Sequence, residues 1–175
     1  MLESCEKLNN QAIALAAEGE FDEAIACFMR ALSIEKENYL LWYNLGITYR
    51  DSGFIDEALM AMNKAHSLKP EDGEIIESLA LLSYTQGETD DAMKYCAMGL
   101  HFNEQNFHLW NTLGVLYFKQ SDYRGASEAF EQALTVNPYY YDALYNLKDT
   151  YEELGNKVGM AECEKRLASI SRSKR

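Results

Sequence analysis

Apolar residues recur along most of the chain at intervals of three and four positions, in short segments that polar breaks separate. This spacing places the apolar side chains on one face of an α-helix, whereas a strand would alternate at every second position. In one segment Trp42, Leu45 and Tyr49 share such a face, which predicts a helix over 39–51. The whole pattern therefore predicts a chain of amphipathic helices.

The polar breaks indicate where each helix ends. Gly53 follows the first predicted helix and can adopt the left-handed conformation that closes a helix C-terminus. A second helix is predicted over 55–68, and Pro70 lies just beyond it, where a helix cannot continue. Two helices joined by so short a break run antiparallel, so this part of the chain is predicted to form a helical hairpin.

The sequence pattern of this hairpin repeats along the chain with a period of 34 residues. Trp42 and Trp110 are 68 residues apart, and so are Pro70 and Pro138. Small residues keep the same period in two columns, which are Gly19, Gly53, Gly87, Ser121 and Gly155, and Ala24, Ala58, Ala92 and Ala126. A fixed period of this length predicts an array of repeats.

The pattern resembles the tetratricopeptide repeat, whose signature places Trp, Leu-Gly and Tyr in a first helix, followed by Ala, Phe and Pro. The match is fullest over 39–72 and 107–140, and weaker copies cover 5–38 and 73–106. In the fourth repeat the signature residues are Trp110, Leu113, Gly114, Tyr117, Ala126, Phe130 and Pro138. The resemblance implies a single all-α domain over 1–175, a right-handed α-α superhelix of about ten antiparallel helices.

The signature decays after the fourth repeat. We interpret 141–171 as a degenerate fifth repeat that caps the array, and 172–175 as a basic tail. Terminal repeats are expected to differ from the others because one of their faces meets water. Lys148 stands in the small-residue column that includes Gly46, so the last helix pair is expected to pack differently or to stand more open.

Side-chain size predicts how closely the two helices of a repeat approach. Gly46 is expected to face Ala58, because two small residues let the helix backbones come together. In the third repeat Ser83 and Cys96 stand where large side chains are usual. We therefore expect looser packing and a point of flexure there.

The resemblance implies that the first helix of each repeat lines a concave face that binds peptides. We predict an apolar floor on this face, with aromatic and amide side chains beside it and an acidic end at Asp149 and Glu152. Apolar anchors give affinity, and amides bond to a peptide backbone. The predicted peptide-binding residues are Asn9, Ile13, Tyr43, Asn44, Ile47, Arg50, Glu77, Leu81, Tyr84, Asn111, Val115 and Phe118.

Asparagines mark one column of these first helices, at Asn10, Asn44 and Asn146. An amide donates to and accepts from a peptide bond at once, so the column resembles the asparagine ladder in the repeat domain of O-linked N-acetylglucosamine transferase. In the alternative interpretation the asparagines are polar surface, or they hold the turns of their own repeat. Both interpretations stay open at this point.

Some co-chaperones with repeats of this kind bind the C-terminal carboxylate of a partner. We do not predict this activity for the present sequence. The clamp of those proteins uses lysines, an arginine and asparagines on three successive repeats. The corresponding positions are Asn9, Ile13, Asn44, Glu74 and Ser78. Only Asn44 fits, and a bound carboxylate would face Glu74 without a cation to pair with it.

The charge of the chain limits its partners. Its 28 acidic and 16 basic residues give a net charge of −12. An acidic protein repels phosphate backbones, so nucleic acid is not expected, and a neutral or basic protein or peptide is favoured. The apolar runs are too short for membrane insertion, and no basic-then-apolar leader opens the sequence, so we expect a cytoplasmic protein.

No residue pattern predicts catalysis or a bound cofactor. The sequence contains neither a G-x-S-x-G motif nor a phosphate-binding glycine loop. The four cysteines are scattered, and the three histidines do not have metal-ligand spacing, so we expect free, packed thiols and no metal site. The sequence therefore predicts a protein that is not an enzyme.

Together these expectations favour a scaffold or adaptor that binds a peptide segment of another protein in its concave groove. Two alternatives stay open. Degenerate end repeats with exposed apolar edges would let arrays self-assemble, which makes a homo-oligomer a candidate state. An acidic repeat protein of this size also suits a chaperone for a secreted or assembling client.

Overall fold

Ten helices account for nearly all of residues 4–173, the part of the chain that the computed structural model describes. The helices are α1 (Cys5–Glu18), α2 (Phe21–Ile34), α3 (Tyr39–Asp51), α4 (Ile55–Leu68), α5 (Gly73–Gln86), α6 (Thr89–Phe102), α7 (Phe107–Lys119), α8 (Tyr123–Val136), α9 (Tyr141–Glu153) and α10 (Lys157–Ser173). No strand occurs in this part of the chain. The all-α prediction is confirmed, and the helices predicted over 39–51 and 55–68 coincide with α3 and α4.

The helices belong to two compact units, Met1–Gly87 with α1 to α5 and Glu88–Arg175 with α6 to α10. In the first unit each helix packs against the next one along the chain, and α1 also touches α3. In the second unit the helices follow the same scheme, and α7 also touches α9. The division falls between the two helices of the predicted repeat 73–106, and the single domain over 1–175 stays a prediction.

Apolar side chains at equivalent repeat positions form the core of each unit. In the first unit Phe28 and Leu45 are buried almost completely. In the second unit Phe130 and Leu147 are buried in the same way. These side chains come from the faces that the helical periodicity marks as apolar, so burial of one face of each helix drives the packing.

Two tryptophans fix the loops that precede a repeat. The Trp42 indole nitrogen donates to the carbonyl oxygen of Lys36 at 2.8 Å, and Trp110 donates to the carbonyl oxygen of Glu104 at 2.8 Å. Each ring packs against the core while its single N–H donor is satisfied. The loop and the first helix of the following repeat are thereby held together.

The first helices begin at capping side chains, which satisfy backbone N–H groups that have no partner inside the helix. The caps with a side-chain bond of this kind are Ser4, Asn38, Asp72 and Asn106. Helices α2, α4 and α6 instead carry two acidic residues each in the first turn, where the helix dipole favours negative charge. The polar residues between repeats thus define the helix starts.

The turn between the two helices of each pair contains one residue with a left-handed backbone conformation. Gly53 has φ of +87°, and its counterparts Gly19, Gly87 and Gly155 lie between +69° and +84°. Ser121 stands in the same column and has φ of +61°, although serine has a Cβ that disfavours this region. The turn geometry of the repeat is therefore kept even where glycine is missing.

The two helices of a pair approach closely at a glycine, but the residue nearest to that glycine is not the predicted one. A Cβ added to Gly46 would lie 3.0 Å from Met62 atoms, and one added to Gly114 would lie 2.5 Å from the Phe130 ring. The expected neighbour Ala58 is not the closest contact of Gly46, because the side chain one helical turn further along α4 reaches back over the glycine. The glycine therefore makes room for a large side chain, whereas the sequence analysis paired it with a small one.

The last helix pair differs from the earlier pairs at two repeat columns, and its different or more open packing stays a prediction. Lys148 turns its amine along α9, where it lies 3.0 Å from the Asp149 carboxylate and 4.7 Å from the centre of the Tyr145 ring. On α10 Glu164 is exposed, although it occupies the column in which Phe28 and Phe130 are buried. Both changes suit a terminal pair whose face is not covered by another repeat.

The predicted basic tail overlaps the end of this pair. Residues 172 and 173 belong to helix α10, so the helix continues past the predicted boundary at 171. Residues 174 and 175 lie outside the described part of the chain.

The cysteines behave as small apolar residues. All four are buried and free, as the sequence predicts. Cys96 and Ser83 are both buried, so the third repeat uses small side chains at interior positions. Looser packing and flexure at this repeat stay predictions.

Exchanging glycine and serine at two of the left-handed turns tests how much the backbone conformation there contributes to stability. We expect Gly53→Ser to lower the free energy of unfolding by about 1 kcal/mol, because serine is strained at this φ. A Cβ at Gly53 would meet no atom within 4 Å, so no clash contributes. The matched change Ser121→Gly is expected to raise the free energy of unfolding by up to about 1 kcal/mol. Urea unfolding followed by circular dichroism measures both, and effects of the same sign would contradict the backbone explanation.

Alanine substitution tests the close approach at the two interior glycines. We expect Gly114→Ala to lower the free energy of unfolding by about 1–3 kcal/mol, because a methyl group collides with the buried Phe130 ring. Gly46→Ala meets the flexible Met62 side chain instead and gains helix propensity, so we expect a change within about 1 kcal/mol of zero. Urea unfolding measures both variants. A larger loss of unfolding free energy for Gly46→Ala than for Gly114→Ala would contradict the closer contact at Gly114.

Candidate functional site

The predicted peptide-binding residues all lie on first helices of repeats. In the first unit they are Asn9 and Ile13 on α1, Tyr43, Asn44, Ile47 and Arg50 on α3, and Glu77, Leu81 and Tyr84 on α5. In the second unit they are Asn111, Val115 and Phe118 on α7. We call these sets the first surface and the second surface, and the residues of α9 beside α7 belong to the second.

On the first surface an amide pair joins α1 to α3. The Asn44 side-chain nitrogen donates to the Asn9 side-chain oxygen at 3.1 Å. Beside this pair Ile13 is 46% exposed, and Leu81 on α5 is 43% exposed, so both present apolar surface to solvent. The first helices of this unit thus carry one amide pair and two exposed aliphatic side chains.

Polar groups of α3 and α5 define the charge of the first surface. Burial raises the pKa of the Tyr43 phenol, and the neighbouring Glu74 carboxylate raises this pKa further. Tyr43 therefore stays protonated at neutral pH and can donate a hydrogen bond. Arg50 lies 2.7 Å from the carboxylate of Asp51, so its charge is balanced within its own helix.

On the second surface an equivalent amide pair joins α7 to α9. The Asn146 side-chain nitrogen donates to the Asn111 side-chain oxygen at 3.1 Å. A buried threonine fixes the helix backbone beneath each pair, because the Thr48 hydroxyl donates to the Asn44 carbonyl and the Thr150 hydroxyl donates to the Asn146 carbonyl, both at 2.8 Å. The same arrangement thus occurs once in each unit, three repeats apart.

These pairs modify the ladder hypothesis. Asn44 and Asn146 each bond to an asparagine of the preceding first helix, one position before the column that the sequence analysis identified. Asn10, the third member of that column, is exposed. One bond leaves each amide with further donor and acceptor capacity, so contact with a peptide backbone stays a prediction.

A cavity of about 290 Å³ opens on the second surface. Its lining residues are Val115, Phe118, Lys119, Phe130, Asn146 and Asp149. Two of these, Val115 and Phe118, are predicted binding residues, and the structure brings them together with Asn146. Lys119 and Phe130 are not among the predicted binding residues, although Lys119 directly follows Phe118 in the sequence.

Two features of the sequence produce this cavity. Gly114 has no side chain, which lets the Phe130 ring lie against α7 and form the cavity floor. Asp149 occupies the column in which the four earlier repeats have an aliphatic residue, namely Ile13, Ile47, Leu81 and Val115. A short polar side chain therefore lines the cavity at a position where the earlier repeats carry a larger apolar one.

The rings around the cavity are held by neighbours. Phe118 packs edge-on against Tyr123 with 5.2 Å between ring centres. On α9 the rings of Tyr141 and Tyr145 are stacked, and each is nearly half exposed. Stacked aromatic rings of this kind provide rigid apolar area at low entropic cost for a partner.

Charges of both signs lie at the rim of the cavity. The Asp149 carboxylate accepts a hydrogen bond from the Lys148 amine at 3.0 Å, and this bond raises the pKa of Lys148. Lys119 lines the cavity from the side of α7, and Glu152 lies one turn beyond Asp149 on α9. The α9 rim is therefore predominantly acidic, whereas the α7 rim carries a cation.

Within the described residues, no three His, Cys, Asp or Glu side chains lie close enough together to hold a metal ion. None of the described helices has the length and apolar character needed to cross a membrane.

Three family models match the chain. Two are described as tetratricopeptide repeat and match residues 39–72 and 109–140, and one described as TPR repeat matches residues 12–53. Together these matches cover parts of the first, second and fourth repeats that the sequence analysis defines.

Solved structures show the same fold. A crystal structure of MamA has a TM-score of 0.86 at 21% identity and covers 93% of this chain and 95% of that chain. YrrB, described as a TPR protein with an unusual peptide-binding site, has a TM-score of 0.76 at 21% identity and covers 94% of this chain and 84% of that chain. These similarities confirm the predicted repeat fold.

Curated relatives are longer than this chain. One from Hordeum vulgare, named as probable UDP-N-acetylglucosamine–peptide N-acetylglucosaminyltransferase SPINDLY, is 28% identical over 76% of this chain and 15% of its own length. The chain spans 25% to 35% of the length of three other curated relatives.

Removing an amide tests whether the asparagine pairs hold the helices together. We expect Asn146→Ala to lower the free energy of unfolding by about 1 kcal/mol, because the part-buried Asn111 oxygen loses its donor. Asn10→Ala removes an exposed amide of the same column and serves as the control, with a change expected below about 0.5 kcal/mol. Urea unfolding measures both, and equal changes would mean that the pair contributes nothing measurable to stability.

Proposed function

Because the chain belongs to the tetratricopeptide repeat family, we propose that it is a protein-interaction scaffold that binds a peptide segment of a partner on the first helices of its repeats. The cavity on the second surface is the observation that carries this proposal. Predicted binding residues line it, its walls are mainly aromatic and aliphatic, and a peptide side chain that enters it loses contact with water.

The amide pairs support the peptide part of the proposal. Each pair lies beside exposed or cavity-lining apolar side chains, Ile13 on the first surface and Val115 on the second. A peptide whose side chain contacts the apolar residue would bring its backbone to the amides. Apolar anchors then supply affinity, while amide bonds compensate the backbone for lost water.

The charge of the chain supports a neutral or basic partner. Met1–Gly87 contains 15 acidic and six basic residues, and Glu88–Arg175 contains 13 and 10. A basic peptide would be attracted to either unit, and added salt would slow its association. The proposed setting is the cytoplasm.

The proposal assigns no enzymatic role to the chain. The sequence offers no catalytic motif that would support one. The relative with a transferase name matches this chain over 15% of its own length, so its activity belongs to a much larger protein.

The proposal is tested by selecting peptides from a displayed random library on the full chain and measuring their affinity by fluorescence anisotropy. We expect Phe118→Ala to weaken the selected peptides at least about tenfold, because it removes one wall of the cavity. Tyr139→Ala is the matched control, since Tyr139 is 74% exposed, belongs to the same unit and does not line the cavity.

Circular dichroism establishes that both variants stay helical before binding is compared. Equal affinity of the wild type and Phe118→Ala for every selected peptide would contradict binding at the second surface. Oligomers in sedimentation without peptide binding would instead favour the self-assembly alternative.

A further inference from the structure

We infer that the second surface selects peptides in which a large apolar side chain has arginine or lysine within a few residues of it. This inference rests on the proposed function, because it names the peptide chemistry that the cavity beside α7 and α9 accepts. Two independent features of the surface carry it, the shape of the cavity and the distribution of charge around its rim.

The cavity accepts one large apolar side chain. Its floor is the Phe130 ring, its walls are Phe118 and Val115, and its volume is about 290 Å³. Phe130 is fully buried and held against Gly114, so the floor does not move aside to close the space. The cavity is large enough to hold one aliphatic or aromatic side chain from a partner.

The rim of the cavity on α9 attracts a cation. Helix α9 contains four carboxylates, Asp142, Asp149, Glu152 and Glu153, against the single amine of Lys148. Helical spacing of three and seven positions places Asp142, Asp149 and Glu152 along one side of the helix. Lys148 pairs with Asp149 at 3.0 Å, and the three carboxylates on this side of α9 outnumber the single amine of the helix.

The opposite rim directs that cation towards α9. Lys119 lines the cavity from α7 and repels a basic side chain placed on that side. A peptide whose apolar residue fills the cavity therefore lowers its electrostatic energy when its basic residue lies over Asp149 and Glu152. An acidic residue at the same peptide position would meet like charges and would be rejected.

Charge reversal tests the inference in a selection experiment. Random 12-residue peptides displayed on phage are selected on the full wild-type chain and, in parallel, on the double variant Asp149→Lys with Glu152→Lys. We expect wild-type peptides to combine an apolar residue with an arginine or lysine within a few positions of it. The double variant is expected to select acidic residues at that position, because its rim carries the opposite charge.

Charge neutralisation then measures the effect on individual peptides. We expect Asp149→Asn with Glu152→Gln to weaken synthetic wild-type peptides about three- to tenfold at low salt, as two exposed ion pairs contribute. The variant should also show a weaker dependence on salt. The control Glu104→Gln with Glu128→Gln changes the net charge equally at exposed positions of the same unit that do not line the cavity, and we expect it to leave affinity within about twofold.

The outcomes separate this inference from the proposed function. The inference would be overturned if peptides lost affinity on Phe118→Ala but showed no preference for basic residues. It would also be overturned if Asp149→Asn with Glu152→Gln and the control Glu104→Gln with Glu128→Gln weakened the peptides equally. Either result would leave peptide binding at this surface intact. Absence of any peptide sensitive to Phe118→Ala would overturn both. Basic peptides weakened only by Asp149→Asn with Glu152→Gln would support both.

Discussion

The contact between a glycine and a large side chain on the paired helix is the constraint on which the second unit depends. Gly114 lets the Phe130 ring lie directly against α7, which brings α7 and α8 together and excludes water from the interior. The same ring is the floor of the cavity beside α9. Stability and the candidate binding site therefore share one side chain, and changes to this contact act on both.

Most of the fold follows from local sequence signals. The apolar spacing of Trp42, Leu45 and Tyr49 and the position of Gly53 depend only on residues close in the chain, and helix α3 ends where these signals predict. The identity of the residue that covers Gly46 was not predictable in this way. It depends on how far the side chain of Met62 reaches along its helix, and the column of small residues contains no information on that.

The candidate site was predictable only in part. Val115 and Phe118 followed from their repeat positions and do line the cavity, but the pairing of Asn146 with Asn111 involves two columns that differ by one position. Such a pairing is set by the rotation of neighbouring helices, which the periodicity of a single sequence does not fix. The cavity itself is formed by side chains of three helices, α7, α8 and α9, and a space of this kind becomes visible only when those helices are in place.

The packing of each helix against its neighbours in sequence has a consequence for how the protein forms. Contacts between residues close along the chain need only short loops to close, which lowers the entropic barrier, so we expect folding to be fast. Within the first unit, α1 to α4 supply one another with partners before any later residue is needed. During synthesis on the ribosome this unit can therefore become ordered while the second is still being translated, which shortens the time that its apolar faces are open to aggregation.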